Sequence, residues 1–262
     1  GRVRFIGDPA MRIKEDYLRI LRFFRFNAWY GQGAFDAAGL SACVRARAGL
    51  RQLSSERVAS EVKRLLVAPR ASEAVSVLFD YGLLCDILGA VPRLSRFARL
   101  IGIEDALARK PHAILRLAAL AVFVPEDAKR LARRFKLSNA ELALLTLGGV
   151  PFDDALPDEA AAKRKLYALG PAAYGSRVLL AWANGHAPAT NPAWRSAATL
   201  TERWKAPVFP LRGTDITALG SFTGPEIGYM LRAIERRWVE GGFAEDHDGL
   251  LALAAALATD GG

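Results

Sequence analysis

Met11-Arg-Ile-Lys-Glu-Asp-Tyr-Leu-Arg-Ile-Leu-Arg-Phe-Phe-Arg-Phe26 is the stretch that decides the fold class. At about 100° per residue, Ile13, Tyr17, Ile20, Leu21 and Phe24 gather on one side. Arg12, Glu15, Asp16, Arg19 and Arg22 share an arc of roughly 120° opposite them. One greasy face and one ionic face predict an amphipathic helix over residues 11–30.

The same three- and four-residue apolar spacing recurs along the chain, and alternating runs rich in β-branched residues are scarce. The expected fold class is therefore all-α, a multi-helix bundle with a smaller helical unit at the C-terminal end. Further helices are expected over residues 54–67, 70–80, 94–108, 111–122, 126–135, 139–147, 158–169, 172–184, 224–240 and 245–258. Ser54 or Ser55 supplies a helix entrance, with Glu56 at the positive end of the dipole, and Ser138 and Pro157 mark two more. From His186 to Gly213, four prolines (Pro188, Pro192, Pro207 and Pro210) interrupt helical hydrogen bonding and predict a connector with a short helix around residues 194–204. The expected organisation is a helical unit over residues 1–70, a second over 71–186, and a connector with a smaller unit over 187–262.

A hydrophobic fraction of 52% in 262 residues supports a buried core. Lys and Arg total 36 against 27 Asp and Glu, a formal charge of +9 that suits a polyanionic partner such as nucleic acid. Cys43 and Cys85 form no CxxC pair, and His112, His186 and His247 lie far apart, which argues against a disulfide framework or a structural zinc site. The longest apolar runs, near residues 115–124 and 250–258, fall short of the roughly 20 residues a membrane span needs. Gly1-Arg-Val-Arg4 carries no signal stretch and reads as the opening of an excised piece, so a cytoplasmic, soluble protein is expected.

On spacing alone, the ionic arc of residues 11–26 is a solvated helix face with weak ion pairs. Glu15 and Arg19 stand at i,i+4 and Asp16 and Arg19 at i,i+3, so both carboxylates are expected to reach the one guanidinium. Hydrogen-bond inventory adds a second reading. Asp16 only accepts and Arg19 only donates, so the two present an acceptor beside a donor. Cytosine and adenine show an amino donor beside a ring-nitrogen acceptor, whereas uracil and guanine carry a ring N–H there. The Asp16 and Arg19 pair could thus read C and A, with Glu15 orienting Arg19 and with Arg12 and Arg22 as adjacent nucleotide or RNA contacts. Phe23 and Phe26 lie toward the same arc, either as a stacking platform or as packing beneath a neighbouring domain.

Lys129, Arg130, Arg133, Arg134 and Lys136 form a dense basic cluster that could meet RNA phosphates, beside the plainer reading of a solvated face. Asp153-Asp154 and Glu245-Asp246 are taken as helix-entry or surface charges.

The longer segment Arg4-Phe-Ile-Gly-Asp-Pro-Ala-Met-Arg-Ile-Lys-Glu-Asp-Tyr-Leu-Arg-Ile-Leu-Arg-Phe-Phe-Arg-Phe26 resembles the head–neck junction of the bacterial and eukaryotic (class II) CCA-adding tRNA nucleotidyltransferases and the related bacterial poly(A) polymerases. Leu53-Ser-Ser-Glu-Arg-Val-Ala-Ser-Glu-Val-Lys-Arg-Leu-Leu66 resembles the family's next neck helix, and Phe79-Asp-Tyr-Gly-Leu-Leu84 is a further match. Pro210-Leu-Arg-Gly-Thr-Asp-Ile216 through Gly224-Pro-Glu-Ile-Gly228 resembles the tail of bacterial members. The resemblance implies that an E-D-x-x-R motif templates the incoming base, with its Asp and Arg at Asp16 and Arg19 and the supporting Glu at Glu15. It also implies CMP and AMP addition to tRNA 3′ ends, with tRNA as partner, CTP and ATP as substrates, and the tRNA held by shape and backbone. The family's Mg²⁺-binding D-x-D pair belongs to a head upstream of the segment matching Arg4. No catalytic residue, metal site or bound cofactor is therefore expected in this chain, which alone should not catalyse transfer. Two alternatives stay open: part of a bacterial poly(A) polymerase, and a helical RNA-binding or scaffold module with no nucleotide role.

Overall fold

The computed structural model describes residues 1–151 and 158–259, and the described residues form helices and turns with no strand. Pro157 and the Asp153-Asp154 pair lie outside the described residues. The chain divides into two compact units, Gly1–Ala155 with Gly175–Ala198, and Leu156–Tyr174 with Thr199–Gly262.

In the first unit, α1 (Pro9–Glu15) opens at Asp8, whose carboxylate accepts the Met11 N–H at 2.8 Å, with Pro9 pre-set for the first turn. The helix expected over residues 11–30 is not continuous. It ends at Asp16, which is extended at φ −156° and ψ 107°, and α2 (Leu18–Tyr30) starts two residues later. Asp16 itself causes the break. Its Oδ1 accepts the Leu18 N–H at 3.0 Å, so a side chain competes with the helical backbone partner. Tyr17, at the break, lies so close over Gly49 that a Cβ there would stand 2.0 Å from the ring.

Asp36 caps α3 (Ala37–Arg45), which packs on α1. Ser54 caps α4 (Ser55–Leu66) by accepting the Arg57 N–H. The apolar face of α2, including Ile20, Leu21 and Phe24, is buried against α4 and α5 (Ala71–Asp80). A short α6 (Leu84–Leu88) leads to α7 (Leu94–Ala106) and to α8 (Ala113–Ala121), which is buried from Ile114 onward and packs on α4, on α7 and on α10 (Asn139–Thr146), the last reached through α9 (Pro125–Phe135). Inside this core Arg116 and Glu104 are paired at 2.7 Å with each side chain 2% exposed, and Arg116 also donates to the Leu66 carbonyl at 2.8 Å. The chain passes through α11 (Glu159–Leu169) before α12 (Pro171–Asn184) and α13 (Pro192–Ala198), where Trp182 and Trp194 stack at 6.1 Å.

The second unit comprises α11, α14 (Leu200–Arg203), α15 (Gly213–Thr217), α16 (Gly224–Glu240) and α17 (His247–Thr259). Its core is Leu211, Ile216, Met230, Ile234, Trp238, Leu250 and Ala254. Tyr167 of α11 meets the Trp238 ring edge-on and donates to Glu235, which draws residues 156–174 into this unit. The short helix expected around residues 194–204 is two, α13 and α14.

Candidate functional site

Glu15 ends α1 and Arg19 stands in the first turn of α2, and they bond across the break. Arg19 Nη1 donates to Glu15 Oε2 at 2.7 Å and to the Arg12 carbonyl at 2.9 Å. Arg12 Nη1 donates to the same Glu15 oxygen at 2.6 Å. The Arg19 hydrogen bond, with Arg12 adding to it, outweighs desolvation and holds the Glu15 carboxyl below its ordinary value of 4.5. Asp16 does not join this cluster. Its Oδ2 accepts from Arg57 Nη2 at 2.9 Å, so the expectation that both carboxylates reach Arg19 is corrected. The chain is extended at Asp16, and its two oxygens are turned to the Leu18 N–H and to Arg57 instead.

Both groups keep unused capacity among the described residues. A guanidinium has five N–H donors and a carboxylate about four acceptor sites. Arg19 is held through Nη1, which leaves its Nε and Nη2 edge, and Asp16 accepts one bond at each oxygen.

Arg4, Arg12, Arg19 and Arg22 line a hollow of about 240 Å³ with Phe23 and Phe26, and Asp16 is not on its wall. Phe23 is buried and stacks on Phe5 at 5.3 Å, so it is packing rather than a free platform. Phe26 is part-exposed beneath the Arg25 guanidinium, which lies 4.2 Å from its ring centre. Arg22 and Arg25 are both anchored on Glu61 of α4, at 3.4 and 2.6 Å. Glu61 is a residue that periodicity missed. Its signal was present, because it is an acid four residues before Leu65, in the apolar phase of its own helix.

The basic cluster on α9 separates into two groups. Arg130 donates to the Leu88 and Gly89 carbonyls and pairs with Asp127, and Arg134 donates to the Asp86 and Ile87 carbonyls. These two satisfy the open C-terminal carbonyls of α6. Lys136 pairs with Glu56 at 2.7 Å. Lys129 and Arg133 face solvent beside Lys136, over a shallow hollow that includes Leu142.

One Asp-x-Asp spacing occurs in the chain, Asp246-His247-Asp248. It is the entrance of α17, where Asp246 accepts the Gly249 N–H at 3.0 Å and His247 Nδ1 meets Asp248 at 3.2 Å. His112 is likewise an N-cap, accepting the Leu115 N–H. Among the described residues no group of three or more His, Cys, Asp or Glu could hold a metal ion, and no helix is long and apolar enough to cross a membrane.

Residues 35–95 match the family model described as the probable RNA and SrmB-binding site of polymerase A. The mitochondrial CCA tRNA nucleotidyltransferase 1 of Mus musculus is 30% identical over 256 residues, which cover 95% of this chain and 57% of the mouse protein. The CCA-adding enzyme of Limosilactobacillus fermentum is 27% identical over 264 residues, 97% of this chain and 63% of that enzyme. Among solved structures, the Bacillus stearothermophilus CCA-adding enzyme in complex with CTP matches with a TM-score of 0.68 at 24% identity, over 98% of this chain and 65% of that one. The Thermotoga maritima CCA-adding enzyme complexed with tRNA matches with a TM-score of 0.60 at 13% identity, over 95% and 63%. At these identities the structural likeness establishes a shared helical fold. The chain spans less than two thirds of the length of each of these proteins.

Proposed function

We propose that the chain belongs with the CCA-adding enzymes and is the nucleotide-selecting and tRNA-binding portion of a CCA-adding tRNA nucleotidyltransferase acting in the cytoplasm. The observation that carries the reading is the Arg19 fork, fixed through Nη1 by Glu15 and the Arg12 carbonyl and open along its other edge. A donor held by two acceptors loses little rotamer freedom when a base arrives. In this reading Arg19 donates to N3 of cytosine or N1 of adenine, and Asp16 accepts from the exocyclic amine. Uracil and guanine would turn a ring N–H toward the guanidinium, a clash of two donors. Asp16 would accept the base amine by sharing or releasing Arg57. That exchange is inexpensive, since a partly exposed ion pair is worth about 0.2–1 kcal/mol.

Arg12 and Arg22, with Arg4 on the same hollow, supply positive charge suited to the phosphates of a nucleotide or of the RNA end. Lys129 and Arg133 are the members of the α9 cluster best placed for backbone contacts, while Arg130, Arg134 and Lys136 add to the field from positions they hold for the fold. Nucleotidyl transfer from CTP and ATP, with its Mg²⁺ ions, is assigned to the length of the relatives that this chain does not span, because the described residues do not fit a metal centre.

The test is to join these residues to the remainder of their polypeptide, supply tRNA lacking its terminal nucleotides, and assay each nucleoside triphosphate separately. Incorporation of C followed by A is the expected result. A-tailing without C would favour poly(A) synthesis, and no incorporation together with no salt-dependent tRNA binding would favour a scaffold.

A further inference from the structure

The first unit holds a second concentration of arginine, built from residues that the hollow of Arg4, Arg12, Arg19 and Arg22 does not use. Arg93, Arg96 and Arg177 line a cavity of about 440 Å³ with Phe123, His186 and Trp194. No Asp or Glu lines it among the described residues. Arg96 is 4% exposed, and its Nη1 and Nη2 donate to the Val122 and Gly148 carbonyls at 2.9 and 3.1 Å. Its Nε has no acceptor among the described residues. Carbonyls occupy N–H groups without cancelling the charge, so the guanidinium is buried and not neutralised. Arg116 shows the contrast within the same unit, because its burial is matched by Glu104 at 2.7 Å.

Two further features keep the cavity positive and open. Arg93 makes no ion pair among the described residues and lies over the Phe123 ring, with its Cζ 4.6 Å from the centre. Burial first, and then the charges of Arg93 and Arg99, lower the Arg96 pKa to about 10, so its surroundings oppose the charge that an anion would welcome. Gly148 and Gly149 bring the backbone close to the neighbouring turn. A Cβ at Gly149 would stand 2.3 Å from the Val124 carbonyl carbon, so a side chain there would push away the wall that presents Gly148 oxygen to Arg96.

We propose that this cavity binds a phosphate group carried on an organic ligand, a phosphomonoester or phosphodiester. Guanidinium forks match phosphate oxygens in geometry and charge. The cavity falls within the size range of small-molecule sites, roughly 300–1,000 Å³, so it has room for more than an ion. Phe123 and Trp194 give the organic part an apolar wall. The same chemistry is offered by a free nucleotide and by an RNA backbone. The proposal stands whether or not Asp16 and Arg19 read bases.

Isothermal titration of the chain with inorganic phosphate and with AMP, at ionic strength matched with chloride, tests it. In an Arg19→Ala background, which removes the proposed base reader, one saturable site is expected for AMP, weakened at least 10-fold on adding Arg93→Ala or Arg177→Ala, neither of which is fully buried. Adding tRNA separates the sources: loss of AMP binding assigns the site to backbone phosphate, and undisturbed binding assigns it to a free phosphate ester. Absence of saturable binding by either probe, or unchanged affinity in both variants, would overturn the proposal.

Discussion

Replacing Gly49 by alanine should loosen the junction of α1 and α2, through a single contact. Gly49 lies in the 3-10 turn Arg47–Gln52 beneath Tyr17, and an added Cβ would stand 2.0 Å from Cδ1 and 2.2 Å from Cε1 of that ring. Carbon atoms pack at about 3.5–4 Å, so the ring must move by about 1.5 Å or the turn must yield. Tyr17 sits between Asp16 and Leu18, whose 3.0 Å hydrogen bond closes the break, so the displacement reaches the residue proposed to accept a base amine. Overpacking of this kind costs about 1–3 kcal/mol. With a urea m-value of about 2 kcal/mol/M, the midpoint should fall by about 0.5–1.5 M. Unfolding of the wild type, Gly49→Ala, Tyr17→Ala and the double variant, followed by far-UV circular dichroism, isolates the cause. Without the ring, Gly49→Ala should cost under about 0.5 kcal/mol. An equal cost in both backgrounds would refute the steric explanation.

Arg116→Ala should destabilise the first unit by about 3–5 kcal/mol near neutral pH, because Glu104 is left buried and unpaired. Burial raises the Glu104 pKa above its ordinary 4.5, so the variant should regain stability as pH falls and lose it as pH rises through the raised value, and a pH-independent penalty would count against this. Glu15 behaves in the opposite sense. Its pKa is lowered, so its hold on Arg19 is complete above 4.5 and is lost only as pH falls through the lower folded value. Side-chain ¹⁵N resonances of Arg19 should report that loss, and Glu15→Gln should reproduce it at neutral pH; resonances unmoved in both cases would show that Glu15 does not orient the fork.

The helical class was legible because apolar spacing persists over most of the chain, and caps such as Ser54 and Ser138 coincide with observed starts. The break at Asp16 was not, because periodicity records which faces are apolar and not whether a side chain will take a backbone N–H from the helix. That one local competition redirected Asp16 to Arg57, 41 residues away, and removed it from the arc it shares with Arg19 on a helical projection. The nine-residue helix α3 was passed over because its small residues, among them Ala37, Ala38, Gly39 and Ala42, make a faint stripe. Glu61 carried a readable sign as an acid in an apolar phase. Arg96 and Arg177 carried none, since they come from distant helices and only the folded chain brings them to one cavity.

The most direct test is nucleotide discrimination by the complete polypeptide, measured as relative incorporation of C, A and U into tRNA lacking its 3′ end, for wild type, Asp16→Ala and Arg19→Ala. A reader that pairs an acceptor and a donor against a base edge contributes about 1–3 kcal/mol of discrimination. Each variant should therefore lose roughly 5- to 100-fold of the preference for C and A over U, with cooperative thermal unfolding showing that both variants are folded. Full activity and full selectivity in both variants would contradict base reading by this junction.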